Sequence, residues 1–261
     1  MLVNTASPPW TANIGGFPFA DTRFALRLVS HTTTAVDSSY YCGVESVTSC
    51  RVVSCRVDTH KPVDGVSPTM IANLAQGVQA FTSNAYLVTG ERTVLIDAGA
   101  NFDIAAAIRD RVDGLDAVVL THTHRDHIGN LEAVTEAFDV DVWGYDTSID
   151  GVGRAIEDEE TVQLGDHEYV ALHTPGHKDD HLCFYSPDAG VLFAGDLVFQ
   201  NGSFGRTDLE EGDRQTLIES IDRVLERIDE DLEEMHTGHG PSVSRNPYDH
   251  VELSSQMARR A

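Results

Sequence analysis

Residues 121–127 read Thr-His-Thr-His-Arg-Asp-His and place His122, His124, Asp126 and His127 within six positions. Three imidazoles and a carboxylate make an N/O ligand set suited to Zn2+, with Fe or Mn as alternatives because no cysteine takes part. One short loop cannot fold all four around a single tetrahedral ion. The spacing therefore asks for two adjacent ions, or for one ligand that partly supports another. A histidine tag would supply the same residue type, but it would be terminal and uninterrupted.

Four further segments end apolar runs with residues of the same kind. In Tyr169–His177, Pro175 and Gly176 stiffen the turn that presents His177. Val191–Asp196 runs a buried strand through Gly195, which permits close backbone approach, into a carboxylate able to bridge two ions. A buried Asp196 without a cation partner would be costly. Met235–Gly240 offers His239 between two glycines, and Leu95–Gly99 offers Asp97, expected to brace the histidine loop by hydrogen bonds rather than to ligate. His173 and His236 compete in register with His177 and His239, but neither follows the glycine turn that would present it. His181 is expected behind the ligands, His167 and His250 at the surface, and Cys183 in a sheet or at the cleft edge.

The elements that must position these groups show in the periodicity. Val78–Phe81, Tyr86–Val88 and Thr93–Ile96 read as a meander of strands, Ile104–Val112 as a helix, and Leu115–Leu120 as a buried strand. Leu131, Val134 and Phe138 mark one helix face, and Leu217, Ile221, Val224 and Ile228 another that begins near Asp213. Strands are expected at 162–164, 168–172, 181–185 and 191–194. This order argues for two sheets packed face to face with helices outside. Gly151-Val-Gly153 and Gly238-His-Gly240 lack the glycine-rich phosphate loop and following helix of a dinucleotide fold.

The net charge of −24 is unevenly carried: residues 1–69 hold five acidic and five basic side chains, residues 70–261 hold 37 and 13, and Lys178 is the one lysine of the latter part. Such self-repulsion weakens a compact state at ordinary ionic strength, whereas about 1 M salt cuts the Debye length to roughly 3 Å. A salt-rich, halophilic cytoplasm is the economical expectation. No basic patch is available for nucleic acid or an anionic membrane. Residues 1–69, with 17 Ser/Thr and Cys42, Cys50 and Cys55, read as a low-complexity or weakly ordered extension dispensable for chemistry, and residues 70–261 as the domain that carries the ligand-type residues. No signal-type N-terminus and no run of 18 apolar residues is present, so a soluble cytoplasmic protein is expected.

In order along the chain, Thr-His-x-His-x-Asp-His, Thr-Pro-Gly-His, Gly-Asp and Gly-His-Gly resemble the metallo-β-lactamase superfamily over about residues 70–245. The resemblance implies an α+β fold, a four-layer αββα sandwich with ions at the rim of the sheets. It implies one ion on His122, His124 and His177, a second on Asp126, His127 and His239, and Asp196 shared between them. Gly202-Ser-Phe-Gly-Arg-Thr-Asp208 is similar to a segment of the hydroxyacylglutathione hydrolase (glyoxalase II) and persulfide dioxygenase groups. Two departures stand out. Only about 20 residues follow Gly240, where glyoxalase II proteins carry a helical domain that helps hold glutathione, which leaves the thiol carrier open. The turn after His177 reads Lys178-Asp-Asp-His181, where these groups commonly have Thr and then Gly before the last His.

The expected chemistry is hydrolysis of a thioester, such as a hydroxyacyl-thiol, or a related ester by a hydroxide bridging two Zn2+ ions. Asp126 and Asp196 would orient the nucleophile and pass its proton. Arg206 is expected to fix its loop through Asp208 or to meet an anionic substrate tail, while Tyr145 is a weaker candidate for the pocket edge. The alternative is a mononuclear-iron persulfide dioxygenase, for which the resemblance implies His122, His177 and Asp196 as ligands. A phosphodiesterase or nuclease is the third reading. The partner is a small-molecule acyl-thiol, and oligomeric state is left open.

Overall fold

The computed structural model describes residues 69–261. Most of the expected N-terminal extension, with Cys42, Cys50 and Cys55, lies outside the described residues. Thr69, the first of them, exchanges hydrogen bonds with Asp166: its Oγ1 donates to Oδ2 (2.7 Å) and accepts from the Asp166 backbone N–H (2.9 Å).

Two mixed sheets stack face to face. The first contains β1 (Met70–Asn73), β2 (Tyr86–Thr89), β3 (Val94–Ile96), β4 (Ala117–Val119), β5 (Val142–Gly144) and β6 (Arg154–Ala155) in that order, antiparallel up to β3 and parallel from there. The second is ordered β11 (Glu234–Thr237), β10 (Val191–Gly195), β9 (Leu182–Ser186), β8 (His167–His173), β7 (Thr161–Leu164), with β10 and β11 parallel and the other pairs antiparallel. Parallel neighbours need crossovers. Helices α1 (Ile104–Arg109), α2 (Arg125–Ile128), α3 (Leu131–Phe138) and α4 (Arg214–Leu225) lie in three of them, the β5–β6 connection has no helix, and α5 (Pro247–Ala258) follows β11.

Alternation along the strands sorts the side chains into three cores. Val94, Ile96, Ala117 and Val119 of the first sheet meet Tyr169, Ala171, Phe184 and Phe193 of the second in the middle layer. Leu87, Leu95 and Val118 point outward beneath α1 and α3, whereas Leu172, Cys183, Leu192 and Ala194 point outward beneath α4 and α5. Strands buried on both faces read as continuous apolar runs, which is why β4, β9 and β10 are visible in the sequence. The architecture is the expected αββα sandwich. Asp213 caps α4, its carboxylate accepting from the Thr216 N–H at 2.7 Å, as its place before the apolar stripe predicts.

Differences are local. Val78–Phe81 forms no strand but part of an irregular connection between β1 and β2, and β1 lies earlier, at Met70–Asn73. Helix α1 stops at Arg109, short of the expected Val112. Among the described residues no helix is long and apolar enough to cross a membrane.

Strands β3, β4, β8, β10 and β11 all end at one rim of the sandwich. Every ligand-type segment named above follows the end of one of these strands, so the topology itself collects them.

Candidate metal centre

The rim is assembled from loops that the strands cannot close by themselves. Leu182 N–H donates to the Thr121 carbonyl (2.7 Å) and Asn84 N–H to the Gly238 carbonyl (2.7 Å), tying one sheet to the other across the opening. Within that frame lie His122, His124, Asp126, His127, His177, Asp196 and His239, and their donor atoms fall into three groups: His122, His124 and His177; Asp126, His127 and His239; and His122, His127 and Asp196.

In the first group, His124 Nδ1 lies 3.0 Å from both His122 Nε2 and His177 Nε2. In the second, His239 Nε2 is 3.0 Å from Asp126 Oδ2. Asp196 lies between them: Oδ1 is 3.5 Å from His127 Nε2, and Oδ2 is 3.4 Å from His177 Nε2 and 3.5 Å from His239 Nε2.

For three of the histidines the inward nitrogen is selected by what holds the opposite side of the ring. His127 Nδ1 is fixed by Asp97 Oδ2 at 2.8 Å, His177 Nδ1 by the Arg206 carbonyl at 2.8 Å, and His122 Nδ1 faces Thr121 Oγ1 at 3.1 Å. Such outer hydrogen bonds set the tautomer and leave the inward lone pair free for a cation. Asp97 reaches the histidine loop by hydrogen bonds and stands outside the three ligand groups. Its backbone adopts φ 58°, and its carboxylate also accepts from Thr121 N–H (2.8 Å) and Thr121 Oγ1 (2.7 Å). A left-handed aspartate stores strain, which these bonds offset.

Burial, together with neighbouring imidazoles, holds His122 well below the usual histidine range; burial likewise lowers His124 and His177. Burial acts in the same direction on His127, but the Asp97 and Asp196 carboxylates outweigh it and push that group up to about 10. Burial would raise Asp196, yet the surrounding histidines hold it far below the usual carboxylate range.

These residues fit divalent cations. His127 Nε2 and Asp196 Oδ1 are buried without a hydrogen-bond partner, an arrangement that costs free energy unless a positive charge sits between them. At Gly238 any Cβ would collide with Asp196 Oδ1 and the His127 ring, so glycine there keeps the centre open for the carboxylate. Gly195 turns the chain at φ 48°, where a Cβ would come within 2.5 Å of His181 Nε2.

Other residues named from the sequence lie beside the centre. Arg206 serves His177 through its carbonyl, while its exposed guanidinium pairs with Asp208 in two bonds of 2.7 and 2.8 Å. His181 Nε2 accepts the Asp196 N–H at 3.0 Å, so its proton is on Nδ1, facing Thr174 Oγ1 at 2.8 Å. The register competitors are elsewhere. His173 stacks on Tyr145, with ring centroids 3.8 Å apart, and bonds the Asp179 carbonyl, while His236 lies in the inter-sheet layer against Phe193 and Tyr86. Cys183 is buried in the sheet.

Asn84 is a further residue of the site that no sequence motif singles out. Its side-chain amide donates to the Thr237 and Gly240 carbonyls at 2.7 and 2.9 Å, gripping both sides of the His239 turn. No spacing rule links residues more than 150 positions apart; the one local cue is a polar amide placed just before an apolar strand.

The family model of the metallo-beta-lactamase superfamily matches residues 78–150 and 144–239. The chain is 32% identical over 193 residues to a probable metallo-hydrolase, YqgX, of Bacillus subtilis (strain 168), covering 64% of this chain and 89% of the relative. It is 29% identical over 191 residues to the hydroxyacylglutathione hydrolase GloC of Haemophilus influenzae, covering 62% and 88%. Among solved structures, TTHA1623 in a di-iron-bound form aligns with a TM-score of 0.58 at 30% identity, covering 72% of this chain and 97% of that one.

Proposed function

This chain belongs to the metallo-beta-lactamase superfamily, and from that premise we propose that it is a metal-dependent hydrolase of a thioester or related ester, with residues 70–261 as the catalytic domain. The observation that carries the reading is the convergence of two His/Asp groups on Asp196, with His127 Nε2 and Asp196 Oδ1 buried and unpartnered. The thioester class is supported by the similarity to GloC and by the Gly202–Asp208 segment.

In this proposal His122, His124 and His177 would hold one ion, Asp126, His127 and His239 would hold a second, and Asp196 would be shared by both. We take Zn2+ as the metal, with iron as its competitor because the similar TTHA1623 structure is di-iron-bound. Bound divalent ions supply an acidified water nucleophile and a Lewis acid for the scissile carbonyl.

The chain's own residues set the geometry. Asp126, half-buried and with its carboxyl held below the usual range, sits beside His239 and would accept a hydrogen bond from the attacking water, orienting a lone pair toward the carbonyl carbon. Asp97 keeps His127 from rotating, and the Arg206 carbonyl does the same for His177. The new C–O bond displaces the thiolate as the C–S bond breaks, and the water proton passes through the carboxylate edge to the leaving thiol or to solvent. A low leaving-group pKa makes a separate general acid unnecessary.

The test measures zinc and iron content together with hydrolysis of hydroxyacyl thioesters of several thiols and persulfide-dependent oxygen uptake. Two zinc ions with hydrolysis are expected. One iron with oxygen uptake replaces the hydrolase by a persulfide dioxygenase, and full activity in chelator overturns the metal reading. A chain beginning at Met70 is expected to keep most of the activity.

A further inference from the structure

Lys178 is the one lysine among residues 70–261, and it is placed directly after His177. It is buried, with Nζ 2.8 Å from Glu211 Oε2 and 3.3 Å from Asp180 Oδ1. Asp180 is also buried, and its Oδ2 accepts from Thr123 Oγ1 at 2.6 Å. Thr123 is the residue between His122 and His124.

These contacts join three loops that no strand pairing holds together. Thr123 belongs to the loop of His122 and His124, Asp180 and Lys178 to the turn of His177, and Glu211 to the loop whose Arg206 carbonyl fixes His177 Nδ1. Taking a lysine and a carboxylate out of water costs more than a well-packed apolar pair would. The more economical use of such a pair is to specify one register. Here the register at stake is the 3.0 Å approach of His124 Nδ1 to His177 Nε2.

We propose that Thr123, Asp180, Lys178 and Glu211 form a charged clamp that positions the three-imidazole half of the centre and thereby sets its affinity for a divalent cation. None of the four is a ligand; they are positioning residues acting through the loops they join. The proposal rests on the metal reading above. It assigns a role to the Lys-Asp-Asp turn by which this chain departs from the related groups.

The experiment uses the metal-stripped full-length protein and Co2+ alone, read by its visible absorption and by competition with a chelating dye. Thr123→Val cuts the bond to the ligand loop and leaves the ion pair intact. Asp180→Asn removes the buried negative charge, and Lys178→Arg preserves the positive one. Thr123→Val and Asp180→Asn are expected to weaken one of two Co2+ equivalents about 10- to 100-fold and to alter its absorption band, leaving the other equivalent within about twofold. Lys178→Arg should stay near wild type. Unmoved affinity and spectrum for both equivalents in Thr123→Val overturns the clamp. So does equal loss of both together with a lower melting temperature of the metal-free protein, which would mark general loosening. If Asp180→Asn does not fold, Thr123→Val decides. A wild-type protein that takes up no Co2+ overturns the metal reading and the clamp with it, whereas two tight equivalents with unmoved variants overturn the clamp alone.

Discussion

His127 at the rim and His236 in the inter-sheet layer are both buried histidines, yet their surroundings push their affinity for a proton in opposite directions when no metal is bound. His236 packs between Phe193 and Tyr86, with Nδ1 2.9 Å from Ser242 Oγ, and burial alone pushes it down to about 4. His127 is as deeply buried, but Asp97 and Asp196 flank its two nitrogens and push it up to about 10. Burial by itself therefore does not fix the direction of the shift: carboxylates buried with the ring reverse it at His127, whereas the half-exposed Glu234 beside His236 does not. A histidine packed on aromatic rings with no buried carboxylate beside it is core, and one between two buried carboxylates marks a place built for positive charge.

The largest expected effect comes from breaking the rim side of this contrast. Asp196→Asn keeps the shape but removes the charge that both groups share. We expect loosened binding of both ions and a loss of kcat/KM of at least about 100-fold, with unchanged circular dichroism. Wild-type metal content and kinetics in this variant would reject the shared role.

The inter-sheet side is tested by pH. The folded-state value of His236 lies below its unfolded value, so the unfolded chain binds the extra proton. The contribution is intact above about pH 6.5 and is progressively lost as pH falls toward about 4. The full span is on the order of 3 kcal/mol, reduced to the extent that the half-exposed Glu234 carboxylate, 3.2 Å from Nε2, favours the charged ring. Chemical unfolding of the metal-free protein between pH 7 and 4.5 should show a shallower acid limb in His236→Gln than in wild type. Parallel limbs would sink the assignment.

Asp97→Asn sharpens the comparison at smaller amplitude. An amide can still accept from Thr121, but it cannot hold His127 by charge. Metal affinity is expected to fall about 10- to 100-fold, confined to the group containing His127. Isothermal titration with Zn2+ is the measurement, and unchanged affinity for both equivalents would count against the brace.

The smallest effect per residue is expected outside both regions. Exposed pairs such as Arg154–Glu160 contribute about 0–1 kcal/mol each, but the 24-charge excess of residues 70–261 should make stability rise between 0.1 M and 2 M KCl. A flat salt series would remove the inference of a salt-rich setting.

How far each feature was legible follows from how local its cause is. The strands β4, β9 and β10 and the helix α4 are written in runs and stripes of neighbouring residues, and they stand where the periodicity puts them. Val78–Phe81 has the composition of a strand but no partner, so it remains irregular and leaves Phe81 exposed beside His239. The helix α5 is not legible in the sequence because its apolar positions are sparse; its buried face includes Ser254 and Ser255, with Ser254 Oγ bonded to the Ser203 carbonyl.

What the sequence determined by itself is the inventory of ligand-type residues and its order. A histidine cluster, a glycine-presented histidine, a Gly-Asp strand end and a Gly-His-Gly turn are local patterns, and local patterns survive without coordinates. The tertiary structure decided which nitrogen of each ring faces inward, that Arg206 acts through its carbonyl rather than its guanidinium, and that Asn84 grips the turn of His239. Those choices depend on hydrogen bonds between segments brought together by the sheet order, and no pattern along one segment records the geometry of another.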